Sequence, residues 1–329
     1  MSSGKLVLVT GITGFIAGHV AFAFLEAGFR VRGTVRGDKA IFLTETVKVP
    51  GLEFTRIDDM ASSGEFSDAL KGVDILVHVA SPIPGRAPVD EMLTTAIDGT
   101  LNVLKQATVL GVKKIVVTSS MAAVMDRWGN ATREEARSNA DNPSFVYMSS
   151  KILSERAVWQ FAREHPEVDI TTILPSYVFG PYVKYFPYPS SPSKLGSNSY
   201  IYRLMTGQLP GPLVPPYCVD VRDVAKAHVN AALLPRPESR HDVEENRFLV
   251  SPWTYTRKDA ITYLNKRRPD VKTAKLEDVA ELPGVVSTVD TSRAREVLGI
   301  KEWIDIQTTV DDTIDDSKEV QKSWTAHPV

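Results

Sequence analysis

The stretch Leu6–Val20, LVLVTGITGFIAGHV, constrains this chain most. Four apolar residues, Leu6 to Val9, have the length and content of a short buried strand. The run breaks at Thr10-Gly11 and resumes with helical spacing at Phe15. Gly11, Gly14 and Ala17 stand three residues apart across that break. Strand, glycine turn and helix bring the unpartnered N–H groups of a first helical turn, and the positive end of its dipole, to one point. Such a point suits a phosphate. Gly11 lacks a Cβ and can make the tight turn, Gly14 lets a ligand approach the backbone, and Ala17 is small enough for the helix to pack on the strand. The spacing is G-x-x-G-x-x-A, one residue longer at its start than the plain dinucleotide fingerprint, and an ordinary strand–turn–helix is the competing reading.

Strand and helix patterns alternate through the first half. Apolar, β-branched runs recur at Leu6–Val9, Arg30–Val35, Leu52–Arg56, Ile75–Val79, Lys114–Thr118 and Ile170–Leu174. Helical stretches lie at Phe15–Ala27, Glu65–Leu70, Met92–Leu110 and Ser144–Arg163. Near-continuous apolar strands between helices predict an α/β fold with a parallel sheet covered on both faces. Ligands of such sheets bind beyond the carboxyl ends of the strands, so the residues that end each strand matter most.

The second strand ends at Arg36, with Lys39 close behind. Asp or Glu at this place suits the ribose hydroxyls of NAD, whereas cations suit the 2′-phosphate of NADP. NADP is therefore expected; the neighbouring Asp38 works against it, and a solvated surface arginine is the plain alternative. Asp59-Met60 ends the third strand, where an aspartate either meets adenine or caps the next helix. The fourth strand ends in the small residues Ala80-Ser81 before Pro82, leaving room for a cofactor ribose, and His78 within its apolar run reads as a core histidine. The fifth ends in Ser119-Ser120. An irregular stretch, about Asp126–Asn142, follows, and Asn142-Pro143 marks a helix start.

That helix carries Tyr147 and Lys151, four residues apart and hence one turn apart on one face. A free phenol, pKa about 10, is a weak acid–base partner near neutrality, and a nearby ammonium lowers that value. With Ser120 donating a hydrogen bond to a substrate oxygen, the three residues make a proton relay beside a hydride donor. Each alone is commonplace; their order behind a nucleotide turn gives them weight.

TGITGFIA, VTSS, YMSSK, LPSYVFGP and VDVRDVA together resemble the extended short-chain dehydrogenase/reductase superfamily. Ala17, GTVR ending at Arg36, HVASP at 78–82 and YMSSKILSERAVWQF at 147–161 are similar to the branch of dihydroflavonol reductases, cinnamoyl-CoA reductases and fungal aldehyde and ketone reductases. The resemblance runs from Lys5 to at least Val310. It implies a Rossmann-type doubly wound parallel sheet with a smaller C-terminal α/β substrate lobe. It also implies catalysis by Ser120, Tyr147 and Lys151, with Gly11, Thr13, Gly14, Phe15 and Ile16 at the cofactor turn. Arg36 would hold the 2′-phosphate with Lys39 as helper, and Asp59-Met60 would meet the adenine. Val79-Ala80-Ser81 would line the ribose, and Pro175 and Val178 would touch the nicotinamide end. Where the branch often has Asn before Gly-Thr in the helix after strand four, this chain has Asp98.

On this reading residues 1–180 bind NADP(H), with 217–233 returning to them, and 181–329 form mainly the substrate lobe. Asp220 and Arg222, at the start of that return, read as structural. The stretch 182–200 is either a surface loop with buried anchors or a lid whose Tyr182, Tyr185, Phe186 and Tyr188 close an apolar carbonyl pocket, with Tyr177 also expected at the pocket. The expected activity is NADPH-dependent reduction of an aldehyde or ketone to an alcohol. A sugar-nucleotide epimerase or dehydratase and a non-catalytic NADP(H) sensor are the alternatives. Met121-Ala122-Ala123 after Ser120 lacks the carboxylate typical of dehydratases.

Composition narrows the partners. Thirty-eight basic and 40 acidic residues without a basic tract argue against nucleic acid. A single cysteine, Cys218, excludes an intrachain disulfide and a cysteine-rich metal centre; no metal is expected. The first strand begins at about Lys5, leaving no room for a signal peptide, and no apolar run is long enough for a bilayer. A cytoplasmic monomer or homodimer acting on a small carbonyl compound is the expectation.

Overall fold

Leu6 and Leu8 pack into one apolar cluster and Val7 and Val9 into another, as the two-residue period of a strand requires. The computed structural model in which this is seen describes residues 4–62, 64–82, 87–125, 131–211, 215–236, 243–282 and 284–326. Asp126–Asn130 of the expected irregular stretch lie outside them. In chain order the strands are β1 (Leu6–Val9), β2 (Arg30–Val35), β3 (Leu52–Arg56), β4 (Ile75–His78), β5 (Lys114–Thr118), β6 (Asp169–Pro175), β7 (Tyr177–Phe179), β8 (Tyr217–Asp220), β9 (Arg247–Val250) and β10 (Trp253–Thr254). The helices are α1 (Phe15–Glu26), α2 (Lys39–Thr46), α3 (Val89–Leu93), α4 (Thr100–Val109), α5 (Arg133–Ser138), α6 (Pro143–Glu164), α7 (Ser199–Met205), α8 (Val221–Leu233), α9 (Arg257–Arg267), α10 (Ser292–Glu296) and α11 (Ile306–Ala326).

Seven parallel strands in the order β3-β2-β1-β4-β5-β6-β9 form the main sheet. On one face, Val20, Ala21 and Phe24 of α1 and Val224 and Ala227 of α8 meet Val7, Val77 and Val116. On the other, Val103 and Leu104 of α4 and Val158 and Phe161 of α6 meet Leu8, Leu76 and Ile115. Each such buried side chain contributes roughly 1.5–3 kcal/mol against exposure. The strand order reverses between β1 and β4, which opens the ligand crevice at their carboxyl ends. A three-stranded sheet, β10-β8-β7, joins α7, α9 and α11 around a second core of Ile201, Leu204, Ile261, Leu264 and Val310. Cys218 is buried in that core, and burial pushes its thiol up to about 12, so it is inert.

The elements expected from sequence differ in particulars. Residues 64–70 form turns, not a helix, although Phe66 and Leu70 are fully buried there. The helix expected over Met92–Leu110 is broken by a π-helical turn, Thr94–Gly99, an insertion that widens the helix where Gly99 meets Met60. In the 217–233 return, α8 covers the main sheet, but β8 pairs in the small one. The chain returns once more, unanticipated, as β9 beside β6. Among the described residues no helix is long and apolar enough to cross a membrane.

Two buried histidines fasten the carboxyl ends of the central strands. His228 of α8 places Nδ1 2.8 Å from the Val224 carbonyl and Nε2 2.7 Å from Thr118 Oγ1 at the end of β5. A carbonyl only accepts, so the neutral ring carries its proton on Nδ1 and Thr118 donates to Nε2. Burial holds His228 down to about 4 and His78 to about 3. Their free values lie near 6.5, so the unfolded chain binds more protons than the native one below that pH. Stability is lost as pH falls from about 6.5 towards 4. In denaturant titrations, His228→Gln is expected to lose less stability than wild type between pH 6.5 and 5, because one of the two depressed groups is gone.

Candidate active site

The glycine turn after β1 meets the end of β4. Gly11 has φ +67°, and a Cβ built on it would lie 3.0 Å from that of Ala80, so only glycine fits between the two strands. Gly14 caps α1 with no side-chain bond, and a Cβ there would sit 3.1 Å from the Gly11 carbonyl. Thr13, Phe15 and Ile16 surround this helix start, Thr13 and Gly14 exposed and the other two half-buried. Ala17 is buried as expected; the closer contact falls one residue on, where Gly18 lies against Val183 and Phe186.

At the neighbouring strand ends, Arg36 and Lys39 are exposed and, among the described residues, neither has an ion-pair partner. Asp38, which spoke against a phosphate here, lies 3.5 Å from Arg56, and Asp58 accepts from Arg56 and from the Gly37 amide. The local carboxylates are thus matched by a cation that the sequence had not singled out. Asp59 is exposed and accepts from Ala61 N, Met60 is buried against Gly99, and Val79 and Ala80 give their amides to Thr10 Oγ1 at 3.0 Å. Pro175 and Val178 are buried at the end of β6 and in β7. An uncapped helix start, a glycine cradle and unpaired cations at the end of β2 fit a dinucleotide carrying a 2′-phosphate.

Asn142 Oδ1 caps α6 by accepting from Phe145 N, with Pro143 in the first turn, and this start sets the phase of the helix. Tyr147 and Lys151 then face the sheet. The two serines ending β5 part company: Ser119 is buried and donates to Glu155, whereas Ser120 hydrogen-bonds to Tyr147 and accepts from Ala122 N. Burial pushes the Tyr147 phenol above its ordinary value, and the Ser120 bond pulls it partly back. The Lys151 ammonium lies 5.9 Å from the Tyr147 ring centroid and donates to Ser81 Oγ at 2.9 Å. Burial lowers Lys151 to about 8, opposed by the charge of Glu155. Tyr147 is therefore a phenol at neutrality, its value raised by burial where the spacing alone led to the expectation of a lowered one.

Of the residues expected around the substrate, Tyr177 and Ser120 neighbour Tyr147. Burial and the nearby Tyr147 and Tyr200 phenols push Tyr177 up to about 12. Tyr182, Tyr185 and Phe186 do not gather there. Tyr185 stacks on Phe22 of α1 at 4.7 Å, Phe186 is buried against Phe22 and Phe54, and Tyr182 packs on Phe15 with its hydroxyl on the Leu195 carbonyl. The apolar flank of α1 claims these rings, and 182–200 runs as a strap tied by Asn198 to Gly180 and by Trp324 to Pro189. Asp220 and Arg222 lie apart from the triad. Asp220 caps α8 and takes both Arg222 and Thr309 of α11.

The chain belongs to the NAD dependent epimerase/dehydratase family, whose model matches residues 7–243, and so to the extended short-chain dehydrogenases/reductases. It is 38% identical over 88% of both chains to an uncharacterized oxidoreductase of Schizosaccharomyces pombe. It is 32% identical to a ketoreductase of Aspergillus niger, over 95% of this chain and 97% of that one. Yeast methylglyoxal/isovaleraldehyde reductase complexed with NADPH superposes with a TM-score of 0.78 at 26% identity, covering 97% and 99% of the two chains.

Phe186→Ala is expected to cost about 3–5 kcal/mol in chemical denaturation, as loss of a buried aromatic does, and to leave the KM for any carbonyl substrate unchanged. Tyr177→Ala is expected to raise that KM several-fold with little loss of stability.

Proposed function

We propose that this chain is an NADPH-dependent reductase of aldehydes or ketones, able to run in reverse as an alcohol dehydrogenase. The observation that carries the reading is the meeting of Tyr147, Ser120 and Lys151 at the carboxyl edge of a sheet whose β2 ends in the unpaired Arg36. Residues 1–180, together with α8 and β9, form the cofactor lobe, and most of 181–329 the substrate lobe.

In this reading Gly11, Thr13, Gly14, Phe15 and Ile16 hold the pyrophosphate, Arg36 and Lys39 the 2′-phosphate, and Asp59 and Met60 the adenine. Val79, Ala80, Ser81 and Lys151 hold the ribose, and Pro175 and Val178 flank the nicotinamide. NADPH, when bound, supplies a hydride for the carbonyl carbon. Ser120 Oγ donates a hydrogen bond to the carbonyl oxygen and fixes its place. Tyr147, protonated at neutral pH, gives that oxygen its proton. Lys151, which donates to Ser81, would bond the ribose hydroxyls, and its charge would stabilise the phenolate left behind. Tyr177 limits what fits beside the carbonyl. A dehydratase would need an acidic group after Ser120, where Met121–Val124 forms a short apolar turn instead.

Tyr147→Phe is expected to lower kcat by about 10²–10⁴ while NADPH titrated by its fluorescence binds nearly as before. A near-native kcat would rule out the proton donor. Arg36→Ala is expected to weaken NADPH far more than NADH in the same titration; equal loss of both would remove the 2′-phosphate role.

A further inference from the structure

Behind the triad lies a half-buried ion pair that the proposed reaction does not use. Glu155 is one turn beyond Lys151 on α6, with a side chain only 3% exposed. Every group bonded to its carboxylate donates. Arg247 of β9 clasps it with Nε at 2.7 Å and Nη2 at 3.2 Å, Ser119 Oγ lies at 2.8 Å, Trp159 Nε1 at 3.2 Å and Thr172 Oγ1 at 3.4 Å. Arg247 and Trp159 can only donate, so the clasp suits a carboxylate. Lys151 makes no direct ion pair with it among the described residues. Both instead line one polar cavity of about 10 Å³, together with Ser81, Thr118, Ser119 and Thr172. That is the space of about a single water, and its walls offer the two to four polar partners a buried water needs.

We propose that Glu155, held from the far side by Arg247, is a positioning residue for the reaction: across this cavity it keeps Lys151 cationic, and through Ser119 it sets the end of β5 from which Ser120 reaches Tyr147. The inference rests on the reductase reading for its purpose but not for its chemistry. The groups facing Lys151 support it. From α6 come Glu155 and the neutral Tyr147. From β4 comes His78, which burial holds down to about 3 and which therefore carries no charge. From β9, Arg247 clasps Glu155 and offsets part of its charge. Among the described residues, the charge of Glu155 opposes the burial that drives Lys151 towards its neutral form. The Ser119 bond adds a mechanical role: Ser119 N also ties to the Ile173 carbonyl of β6, so the residue before Ser120 is fixed by backbone and side chain together.

The test reads Lys151 directly in the cofactor-free protein. Protein labelled at lysine Cε with carbon-13 is titrated by NMR, and Lys151→Met assigns the resonance. Glu155→Gln is expected to lower the Lys151 midpoint by roughly one pH unit or more, and the alkaline limb of kcat/KM should move to lower pH with it. Arg247→Gln is expected to move both the opposite way and by less, because it removes the cation that offsets part of the carboxylate's field at Lys151; Arg247→Lys should restore the wild-type midpoint. Should Glu155→Gln fail to fold, the two Arg247 variants make the same comparison. A Lys151 midpoint unmoved in the variants that fold, with only the melting temperature lowered, overturns the proposal and leaves Glu155 a structural ion pair. Failure of the reductase reading is distinct: wild type would then show no carbonyl-dependent NADPH oxidation, whatever the titration gives.

Discussion

One hydroxyl, Thr10 Oγ1, holds the crevice together. Thr10 follows β1 and is fully buried. Its oxygen accepts the amides of Val79 and Ala80 beyond β4, and it lies 3.0 Å from His78 Nδ1. The opposite ring nitrogen of His78 lies 3.1 Å from Thr100 Oγ1, whose own proton goes to the Ala96 carbonyl. Thr100 therefore accepts, His78 carries its proton on Nε2, and Thr10 donates to Nδ1. One tautomer satisfies every group, and it requires a neutral ring. The chain of bonds fixes the two strands that diverge at the switch point, at the spacing where only glycine passes at position 11. A dinucleotide turn needs this closeness, since its amides point usefully only if strand and helix cannot spread.

How much of this was legible follows from what each signal reports. Hydrophobic period reports burial, so β1, β2, β3 and β5 were read to the residue. The same signal misplaced residues 64–70, where Phe66 and Leu70 are buried from turns, and it passed over the π turn at Thr94–Gly99, because an inserted residue hardly disturbs an apolar stripe. Strand ends singled out Ser120 and Ser81, which meet Tyr147 and Lys151. Sequence could not show that Ser119 meets Glu155 and Ser120 meets Tyr147, nor that Arg56 of β3 answers Asp38, because each depends on neighbours distant in the chain. Glu155 carried a signal that went unread: it continues the four-residue spacing of Tyr147 and Lys151, and a carboxylate on the buried face of a helix must have a partner.

The aromatic run after Pro181 shows why composition misleads about pockets. Tyr182, Tyr185 and Phe186 have the chemistry of a carbonyl pocket, yet Phe15, Gly18 and Phe22 of α1 offer them a nearer apolar surface. The strap they form fastens the small lobe to the helix that starts at the glycine turn. His19 Nε2 donates to the Pro181 carbonyl in the same region, and Asp316 of α11 accepts the Tyr182 amide. Asp220 is the second tie, its carboxylate shared by α8, Arg222 and Thr309. The lobes are therefore joined at α1 and at α8, which pack on one another.

Burial sets opposite conditions on the two titrating groups of the site. It raises Tyr147 and lowers Lys151, in each case favouring the neutral form. For a reductase the first is an advantage: a raised phenol arrives at the carbonyl with its proton. The second is a cost, because a neutral amine cannot stabilise the phenolate once that proton has left. Placing a locked carboxylate one turn beyond the lysine resolves the conflict without lowering the phenol beforehand, since Glu155 lies nearer to Lys151 than to Tyr147, two turns back. Both shifts thus start from burial, and only that of Lys151 is opposed by the charge of Glu155.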